Sequence, residues 1–143
     1  MSEINYGANK REVRCLALNI YHEARNESTA GQIAVAQTTL NRVKSVNFPD
    51  TVCSVVYQGM HVGNKPVRDG CQFSWYCDGA DDHPRNPRAY LKSKGIAEWI
   101  LFTERWIPDI TDGSLWYHAN YVKPLWSNKR SKTLTIDSHI FYK

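Results

Sequence analysis

Two amphipathic helical patterns follow one another near the start of the chain, and they constrain the fold more than any other feature. Apolar side chains recur every three or four residues from Val13 to Ala24, which predicts a helix with one apolar face. A second helix is predicted to start at Thr29, with Gln32 at the spacing of a capping box. Its buried stripe consists of Ile33, Ala36, Leu40 and Val43. The chain is therefore organised around two helices joined by a short polar break.

Glu23 lies close to this break and borders the apolar face of the first helix. It follows Ile20 by three residues and Leu16 by seven. We expect its carboxyl group to be partly desolvated, and desolvation raises the pKa of a carboxyl group. Such a group can hold a proton near neutral pH and donate it to a leaving group. Most glutamates on amphipathic helices are solvated, however, and helical spacing alone does not separate the two cases.

The two helices are predicted over residues 10–25 and 30–44. The segments around them have a less regular hydrophobic pattern. The residues before Lys10 are expected to form a loose lead-in. Residues 58–70 have no periodicity and contain three glycines and a proline, which predicts a long loop or a weak hairpin. Such a segment often forms the wall of a substrate cleft.

Another long helix is predicted in the second half of the chain. Asn86 followed by Pro87 is typical of a helix start, with the cap before the first helical position. The pattern continues to about Arg105. Gly95 lies inside this helix and costs about 1 kcal/mol relative to alanine, so we expect close packing there.

Size and composition indicate one globular domain. The chain has 143 residues, 42% of them hydrophobic and 22% charged. Its net charge of +4 fits an anionic polymer, either nucleic acid or cell wall, and does not distinguish them. The densest basic cluster, Lys129, Arg130 and Lys132, is typical of a solvated loop. We therefore predict no nucleic-acid partner.

The chain shows neither a secretory signal at its N-terminus nor an apolar run near the roughly 18 residues of a membrane span. We expect a soluble monomer that is made in the cytoplasm without a signal peptide and does not insert into membranes. If its substrate were the cell wall, it could act there only after release. The four cysteines have the spacing of neither a zinc ribbon nor a disulfide framework. Cytosolic synthesis favours free thiols, with Cys15 and Cys53 as small buried residues. The formation of a later disulfide between Cys71 and Cys77 is an alternative that the sequence leaves undecided.

Several strings resemble the cell wall hydrolase family that includes the spore cortex-lytic enzymes. IYHEARNE and GQIAVAQTTLNRV, within Ile20–Val43, are similar to the family patterns IYxEARGE and GQxAVAxxxLNRV, and Phe48-Pro49 follows as in the family. The tail string HANYVKPLW, His118–Trp126, and the ending SHIFYK also resemble the family. Asn26 and Asp137-Ser138 replace common glycines, which puts only local turns in doubt.

The resemblance implies an α+β, lysozyme-like fold that is mainly helical with a small β-hairpin region. It implies a single catalytic cell wall hydrolase domain over residues 1–143. Glu23 is then the catalytic acid of a lytic transglycosylase that cleaves peptidoglycan between N-acetylmuramic acid and N-acetylglucosamine. In such enzymes one glutamate acts first as acid and then as base, while the C6 hydroxyl of the muramic acid attacks and leaves a 1,6-anhydro end. The partner is the glycan strand, and no cofactor is implied.

Other chemistries fit the residues less well. A hydrolytic muramidase requires a second carboxylate, and Glu27 is the nearest in sequence, but no spacing nominates it. The dipeptide His22-Glu23 is not an HExxH zinc motif, because Asn26 stands where the second histidine is needed. A scattered zinc site that includes Cys71 and Cys77 has no supporting spacing. We therefore predict no metal.

Candidate substrate-binding residues lie in two strings. The string QFSW is expected to be a short strand, with Phe73 and Trp75 in the core and the alternate residues facing the cleft. Tyr117 and His118 are expected to face the helix that carries Glu23, although His118 as a core residue is an equally open alternative. The candidates are Gln72, Ser74, Tyr117, His118 and Trp126.

The expected biological setting is a phage endolysin that reaches the wall through a membrane pore. A bacterial enzyme that remodels the wall is the alternative setting. A non-catalytic wall-binding module that kept the fold is the alternative function, and the intact string around Glu23 argues against it.

Overall fold

The computed structural model of the protein describes residues 6–103 and 106–143. A long helix, α1, packs against three further helices, and two small antiparallel sheets complete the architecture. The helices are α1 (Tyr6–Ala24), α2 (Thr29–Lys44), α3 (Val52–Val56) and α4 (Pro87–Thr103). The strands are β1 (Gly59–Val62), β2 (Lys65–Cys71), β3 (Trp116–Ala119), β4 (Lys132–Ile136) and β5 (His139–Tyr142). This arrangement confirms the predicted α+β class, mainly helical with a small hairpin.

Helix α1 forms the centre of the main core. Its residues Leu16, Ala17 and Ile20 are fully buried, in contact with α2, α3 and the inner face of α4. The helix already includes residues 6–9, so the predicted lead-in before Lys10 is wrong for those positions. For residues 1–5 that prediction lies outside the described residues. The apolar spacing predicted the buried face correctly because it runs unbroken for three turns.

Helix α2 begins one residue after its cap, Ser28. The Ser28 hydroxyl accepts a hydrogen bond from the Gly31 amide at 3.1 Å, which satisfies one free donor of the first turn. The predicted start of the helix at Thr29 is confirmed, but the capping residue is Ser28, one position before the residue that the capping-box spacing indicated. Gln32 does contribute to this end of the helix, because its side-chain amide donates to the Glu27 carbonyl at 3.3 Å.

Of the two alternatives for residues 58–70, a long loop or a weak hairpin, the structure shows the hairpin, formed by β1 and β2. The strand predicted for the QFSW string is wrong, because Ser74–Tyr76 forms a 3-10 turn. A disulfide joins Cys71 to Cys77 and holds their Cα atoms 6.0 Å apart, whereas six extended residues would span about 20 Å. The turn still buries Phe73 and Trp75 and exposes Gln72 and Ser74, as the alternation had predicted.

All four cysteines are paired, which corrects the expectation of free thiols. Cys15 on α1 is bonded to Cys53 on α3, and the packing of the two helices brings their Cα atoms to 5.2 Å. Sequence spacing could not show this pairing because it depends on how α3 packs on α1. Disulfides of this kind persist in oxidising compartments.

The three-stranded sheet has the order β3-β5-β4 and covers the junction of α1 and α2. Tyr117 on β3 is in register with Phe141 on β5. Phe141 is fully buried and packs with Ala24, Ala34 and Val35 of the two helices. The sheet therefore places the inward-facing residues of β3 next to the C-terminal end of α1.

Helix α4 starts as predicted, since the Asn86 side chain accepts from the Ala89 amide at 3.1 Å and Pro87 takes the first position. The helix ends at Thr103, and the predicted end at Arg105 lies outside the described residues. Close packing at Gly95 is wrong: the residue is exposed, and nothing in the described chain approaches within 4 Å of a Cβ placed there. Within the described residues, no helix is long and apolar enough to cross a membrane.

Candidate active site

The last turn of α1 brings Glu23 against Tyr117 of strand β3. The Tyr117 hydroxyl donates a hydrogen bond of 2.6 Å to Glu23 Oε1. The Tyr117 ring is held between Phe73, at 6.4 Å between ring centroids, and Phe141, at 5.5 Å. Two aromatic rings therefore hold the hydroxyl that fixes one carboxyl oxygen of Glu23.

Burial controls the protonation of this pair. Glu23 as a residue is half-buried, while its carboxyl group is enclosed by protein atoms on most sides. Burial raises the pKa of Glu23, and the hydrogen bond from Tyr117 and the charge of Arg42 oppose it without reversing it. Burial and the adjacent Glu23 carboxylate hold the pKa of Tyr117 well above its ordinary value. Tyr117 therefore stays a neutral donor, and Glu23 is suited to act as an acid at a higher pH than an exposed glutamate.

Arg42 is a buried cation beside this pair, and the sequence analysis did not identify it. Only 2% of its surface is exposed, and its Nε donates to the Leu115 carbonyl at 2.7 Å. Its guanidinium lies over the rings of Phe48 and Phe73, at 5.0 and 5.2 Å from their centroids. Nη1 has no hydrogen-bond partner among the described residues. Its sequence signals were its place next to the buried stripe of α2 and its place in the string LNRV, which resembles the family pattern.

A buried polar chain supports the floor of the site. The Trp75 indole donates to the side-chain oxygen Oδ1 of Asn19 at 2.9 Å, and the side-chain Nδ2 of Asn19 donates to the Thr39 hydroxyl at 3.3 Å. These three groups join the 3-10 turn, α1 and α2. Since all three residues are buried, the network holds the 3-10 turn against α1, the helix that carries Glu23.

Glu27, the nearest second carboxylate in sequence, is occupied by other partners. Its Oε1 accepts hydrogen bonds from the Ser138 hydroxyl and, at 3.3 Å, from the Ser138 amide. His139 Nδ1 lies 3.1 Å from the same oxygen. Burial lowers the pKa of His139, and the charge of Glu27 opposes this shift. Glu27 therefore attaches the β4–β5 turn to the segment that follows α1.

The same turn shows why Asp137 can replace a glycine. Asp137 has a φ of 50°, in the left-handed region that aspartate tolerates better than most residues. Its carboxylate accepts from the Ser28 amide at 2.9 Å and from the Ser28 hydroxyl at 2.5 Å. The substitution therefore keeps the turn and adds a contact to the cap of α2.

The predicted substrate-binding residues are not all gathered around Glu23. Tyr117 contacts it directly. Gln72 and Ser74 are exposed and flank Phe73, on the opposite side of the 3-10 turn from the core. Their roles in binding sugar stay predictions.

His118 and Trp126 lie in a different aromatic cluster. His118 Nε2 is 2.8 Å from the Tyr142 hydroxyl, and its Nδ1 is 2.8 Å from the Ala119 carbonyl oxygen. Trp126 packs edge-on to both rings, at 5.7 Å from His118 and 5.3 Å from Tyr142. Because successive residues of β3 point to opposite faces, His118 faces away from Tyr117. This placement favours the core alternative for His118, and substrate binding by His118 and Trp126 stays a prediction.

Within the described residues, no group of three or more His, Cys, Asp or Glu side chains could hold a metal ion. Cys71 and Cys77, which the scattered zinc arrangement would need, are bonded to each other.

Comparison with known proteins identifies the family. A sequence profile described as Cell Wall Hydrolase matches residues 26–142, most of the chain. The chain belongs to the cell wall hydrolase family. The matched span of this cell wall hydrolase begins three residues after Glu23 and includes Arg42, Tyr117 and the three-stranded sheet.

Curated relatives of this cell wall hydrolase are spore cortex-lytic enzymes. The chain is 42% identical over 52 residues to that of Oceanobacillus iheyensis and 40% identical over 52 residues to that of Bacillus subtilis. Each match covers 36% of this chain but only 19% and 17% of the relatives, respectively. The matched segment therefore spans less than a fifth of the length of these curated relatives.

Solved structures extend the similarity over the whole fold. The catalytic domain of the germination-specific lytic transglycosylase SleB from Bacillus anthracis is 27% identical, with a TM-score of 0.71 over 99% of this chain and 100% of that domain. The catalytic domain of the Bacillus cereus SleB protein is also 27% identical, with a TM-score of 0.65 over 94% of this chain and 91% of that one. The lysozyme-like fold predicted for this cell wall hydrolase is thereby confirmed.

Proposed function

We propose that this cell wall hydrolase cleaves the N-acetylmuramic acid–N-acetylglucosamine bond of peptidoglycan as a lytic transglycosylase, with Glu23 as its acid and base. The observation that carries the proposal is the enclosed Glu23 carboxyl group, whose Oε1 is fixed by the 2.6 Å hydrogen bond from Tyr117. The likeness over 99% of the chain to a lytic transglycosylase domain supports the reaction type.

The first step is protonation of the leaving group. Burial raises the pKa of Glu23, so the acid form is available when substrate binds. Glu23 gives its proton to the bridging oxygen, the bond between that oxygen and C1 of the muramic acid breaks, and positive charge develops on the sugar. The resulting Glu23 carboxylate, next to the buried Arg42, is stabilised by the Tyr117 hydroxyl.

The second step restores the enzyme without water. The Glu23 carboxylate removes the proton from the C6 hydroxyl of the same sugar, and the C6 oxygen bonds to C1. The product is a 1,6-anhydro ring, and Glu23 is protonated again. The engagement of Glu27 by Ser138 and His139 favours this route, because the nearest candidate for a water-activating carboxylate already holds a structural turn.

The decisive experiment combines a variant with product analysis. Glu23→Gln keeps the shape and the acceptor for Tyr117 but removes the proton donor, so wall lysis should fall by about two to four orders of magnitude. Asp50→Asn, the same chemical change at an exposed turn, is the matched control and should lyse walls like the wild type. A Glu23→Gln protein that lyses walls at a rate close to the wild type would remove Glu23 from the mechanism.

Mass spectrometry of the released fragments separates the two reactions. Anhydro ends are expected, and they are lighter than reducing ends by one water. Reducing ends alone would establish hydrolysis, so that the protein would be a muramidase with a second base to be found. Unchanged walls with tightly bound protein would instead support a non-catalytic binding module.

The endolysin setting also remains a proposal. The two disulfides are supportive, since they favour action outside the reducing cytoplasm. Expression in a bacterial cytoplasm should cause lysis only when a pore-forming protein is produced with it. Lysis without such a pore would contradict this route of release.

A further inference from the structure

The outward face of α4 carries a stripe of large apolar side chains. Leu91, Trp99 and Phe102 are 66%, 45% and 63% exposed. They lie opposite the buried stripe of the same helix, which consists of Ser93, Ile96, Ala97 and Ile100. Trp106 continues the apolar surface just beyond the helix, at 66% exposure and with its ring 6.4 Å from that of Phe102. Exposed apolar surface of this extent is typical of an interaction site.

Gly95 lies at the middle of this face. It is the central residue of Pro87–Thr103, and a Cβ placed there would meet nothing in the described chain within 4 Å. Glycine weakens an exposed helix interior relative to alanine, so the fold of one chain gives no reason for it. A glycine between large apolar residues leaves a notch in which another backbone can approach closely.

We propose that two copies of this chain associate through α4, with the helices antiparallel and the twofold axis next to Gly95. The face is self-complementary about that residue. Leu91 and Trp99 lie four positions before and after Gly95, and Arg88 and Phe102 lie seven positions before and after it. An antiparallel pair therefore places Leu91 in one layer with the partner's Trp99, and Arg88 in one layer with the partner's Phe102.

The charges on this face agree with the same register. Arg88 carries a guanidinium that can stack on the ring of the partner's Phe102. Lys94 and Glu98 pair within the helix, with Nζ and Oε1 4.0 Å apart, and both side chains are about half exposed. The twofold axis brings the two Lys94–Glu98 pairs to the same side of the interface, where each lysine lies between two glutamates.

A membrane surface is the main alternative occupant. Trp99 and Phe102 beside Lys92 would suit an anionic bilayer. The second copy is favoured because the notch at Gly95 allows a helix backbone to approach closely and has no use in a lipid surface. The expectation of a monomer stays a prediction, and this face argues against it. A single helix pair is a small interface, so we expect a dimer in the micromolar range.

Sedimentation equilibrium over a concentration series tests the dimer. Wild-type protein should shift from monomer to dimer as concentration rises. Gly95→Leu fills the notch without touching the core of one chain, so it should raise the thermal midpoint of the monomer yet weaken association at least tenfold. Leu91→Glu should abolish association. Val46→Glu changes a residue that is 98% exposed and lies in the turn after α2, away from this face, and should associate like the wild type.

Each outcome decides the proposal. A wild-type protein that remains monomeric over the whole series overturns it, as does a Gly95→Leu protein that dimerises as well as the wild type. A shift of tryptophan fluorescence on vesicles of anionic phospholipid, with no self-association, would assign the face to a lipid surface instead. Loss of association in both Gly95→Leu and Leu91→Glu, with Val46→Glu unaffected, supports the antiparallel dimer.

Discussion

Replacing Tyr117 with phenylalanine tests the link between the sheet and the catalytic acid. The substitution removes the 2.6 Å hydrogen bond to Glu23 Oε1 and keeps the ring between Phe73 and Phe141. A hydrogen bond to a charged group contributes about 1.5–3 kcal/mol. Since this bond stabilises the carboxylate that forms when Glu23 has given up its proton, we expect kcat/KM to fall about tenfold to a hundredfold.

The same change should move the pH profile in a defined direction. The Tyr117 hydrogen bond lowers the pKa of Glu23 against the larger effect of burial. Without it the pKa rises further, so the alkaline limb of kcat/KM, where Glu23 loses its proton, should move to higher pH. The substrate should be a soluble glycan fragment, because the charge of intact walls complicates the profile.

The pH dependence of the free energy of unfolding is a second measurement, and its direction can also be predicted. A carboxyl group whose pKa is raised by folding contributes stability that is complete below its unfolded pKa and is lost as pH rises through its folded pKa. The wild type should therefore lose some stability from this group between acid and neutral pH. Tyr117→Phe should lose more, and the loss should extend to higher pH.

Tyr142→Phe is the matched control, because it removes a hydroxyl of the same sheet that pairs with His118 at 2.8 Å instead of with Glu23. Tyr142→Phe should leave the alkaline limb of the kcat/KM pH profile at the same pH as in the wild type. If Tyr117→Phe leaves the limb in place or moves it to lower pH, then Tyr117 does not act on the ionisation of Glu23, and the reasoning fails even if activity is lost.

Three further predictions concern groups around the site. His118→Ala should cost about 2–3 kcal/mol of stability, measured by chemical denaturation, because its ring is buried and hydrogen-bonded; a lowered activity with an unchanged midpoint would instead place it in the cleft. Glu27→Gln should lower stability by about 1–3 kcal/mol while cleavage still yields anhydro ends; loss of cleavage in a stable protein would reveal a second catalytic carboxylate. Joint replacement of Cys15 and Cys53 by serine should cost about 3–4 kcal/mol, since their disulfide closes a loop with a sequence separation of 38; an unchanged midpoint would contradict a structural role.

The helices and the catalytic role of Glu23 could be predicted from the sequence because the patterns that indicate them are local. The spacing of Leu16 and Ile20 defines the buried face of α1 without knowledge of its partners, and Asn86-Pro87 marks the start of α4. The prediction for Glu23 also depended on the surrounding string, because many solvated glutamates lie beside the apolar face of a helix. Its contact with Tyr117, 94 residues away, depends on the sheet register and was expected only as a general proximity.

The failures arose where distant contacts override local pattern. Phe73 and Trp75 alternate as in a strand, yet the Cys71–Cys77 bond forces the segment into a turn that buries the same two rings. Arg42 lies in the string LNRV, but its burial could not be predicted, because an arginine beside a buried stripe usually extends into solvent. The domain boundary, residues 1–143, stays a prediction.

Glu23 and Glu27 show how one short segment separates a reactive carboxylate from a structural one. Glu27 Oε1 is approached by two groups of Ser138 and by His139, so this oxygen holds the turn that keeps the sheet in place. Glu23 accepts one hydrogen bond from the Tyr117 hydroxyl, which is fewer contacts than Glu27 has. Because β3 carries Tyr117 and β5 carries His139, the contact at Glu27 also holds the strand pair that presents Tyr117 to Glu23. The two acids are therefore mechanically linked, and a change at Glu27 should reach the reaction only through the position of Tyr117.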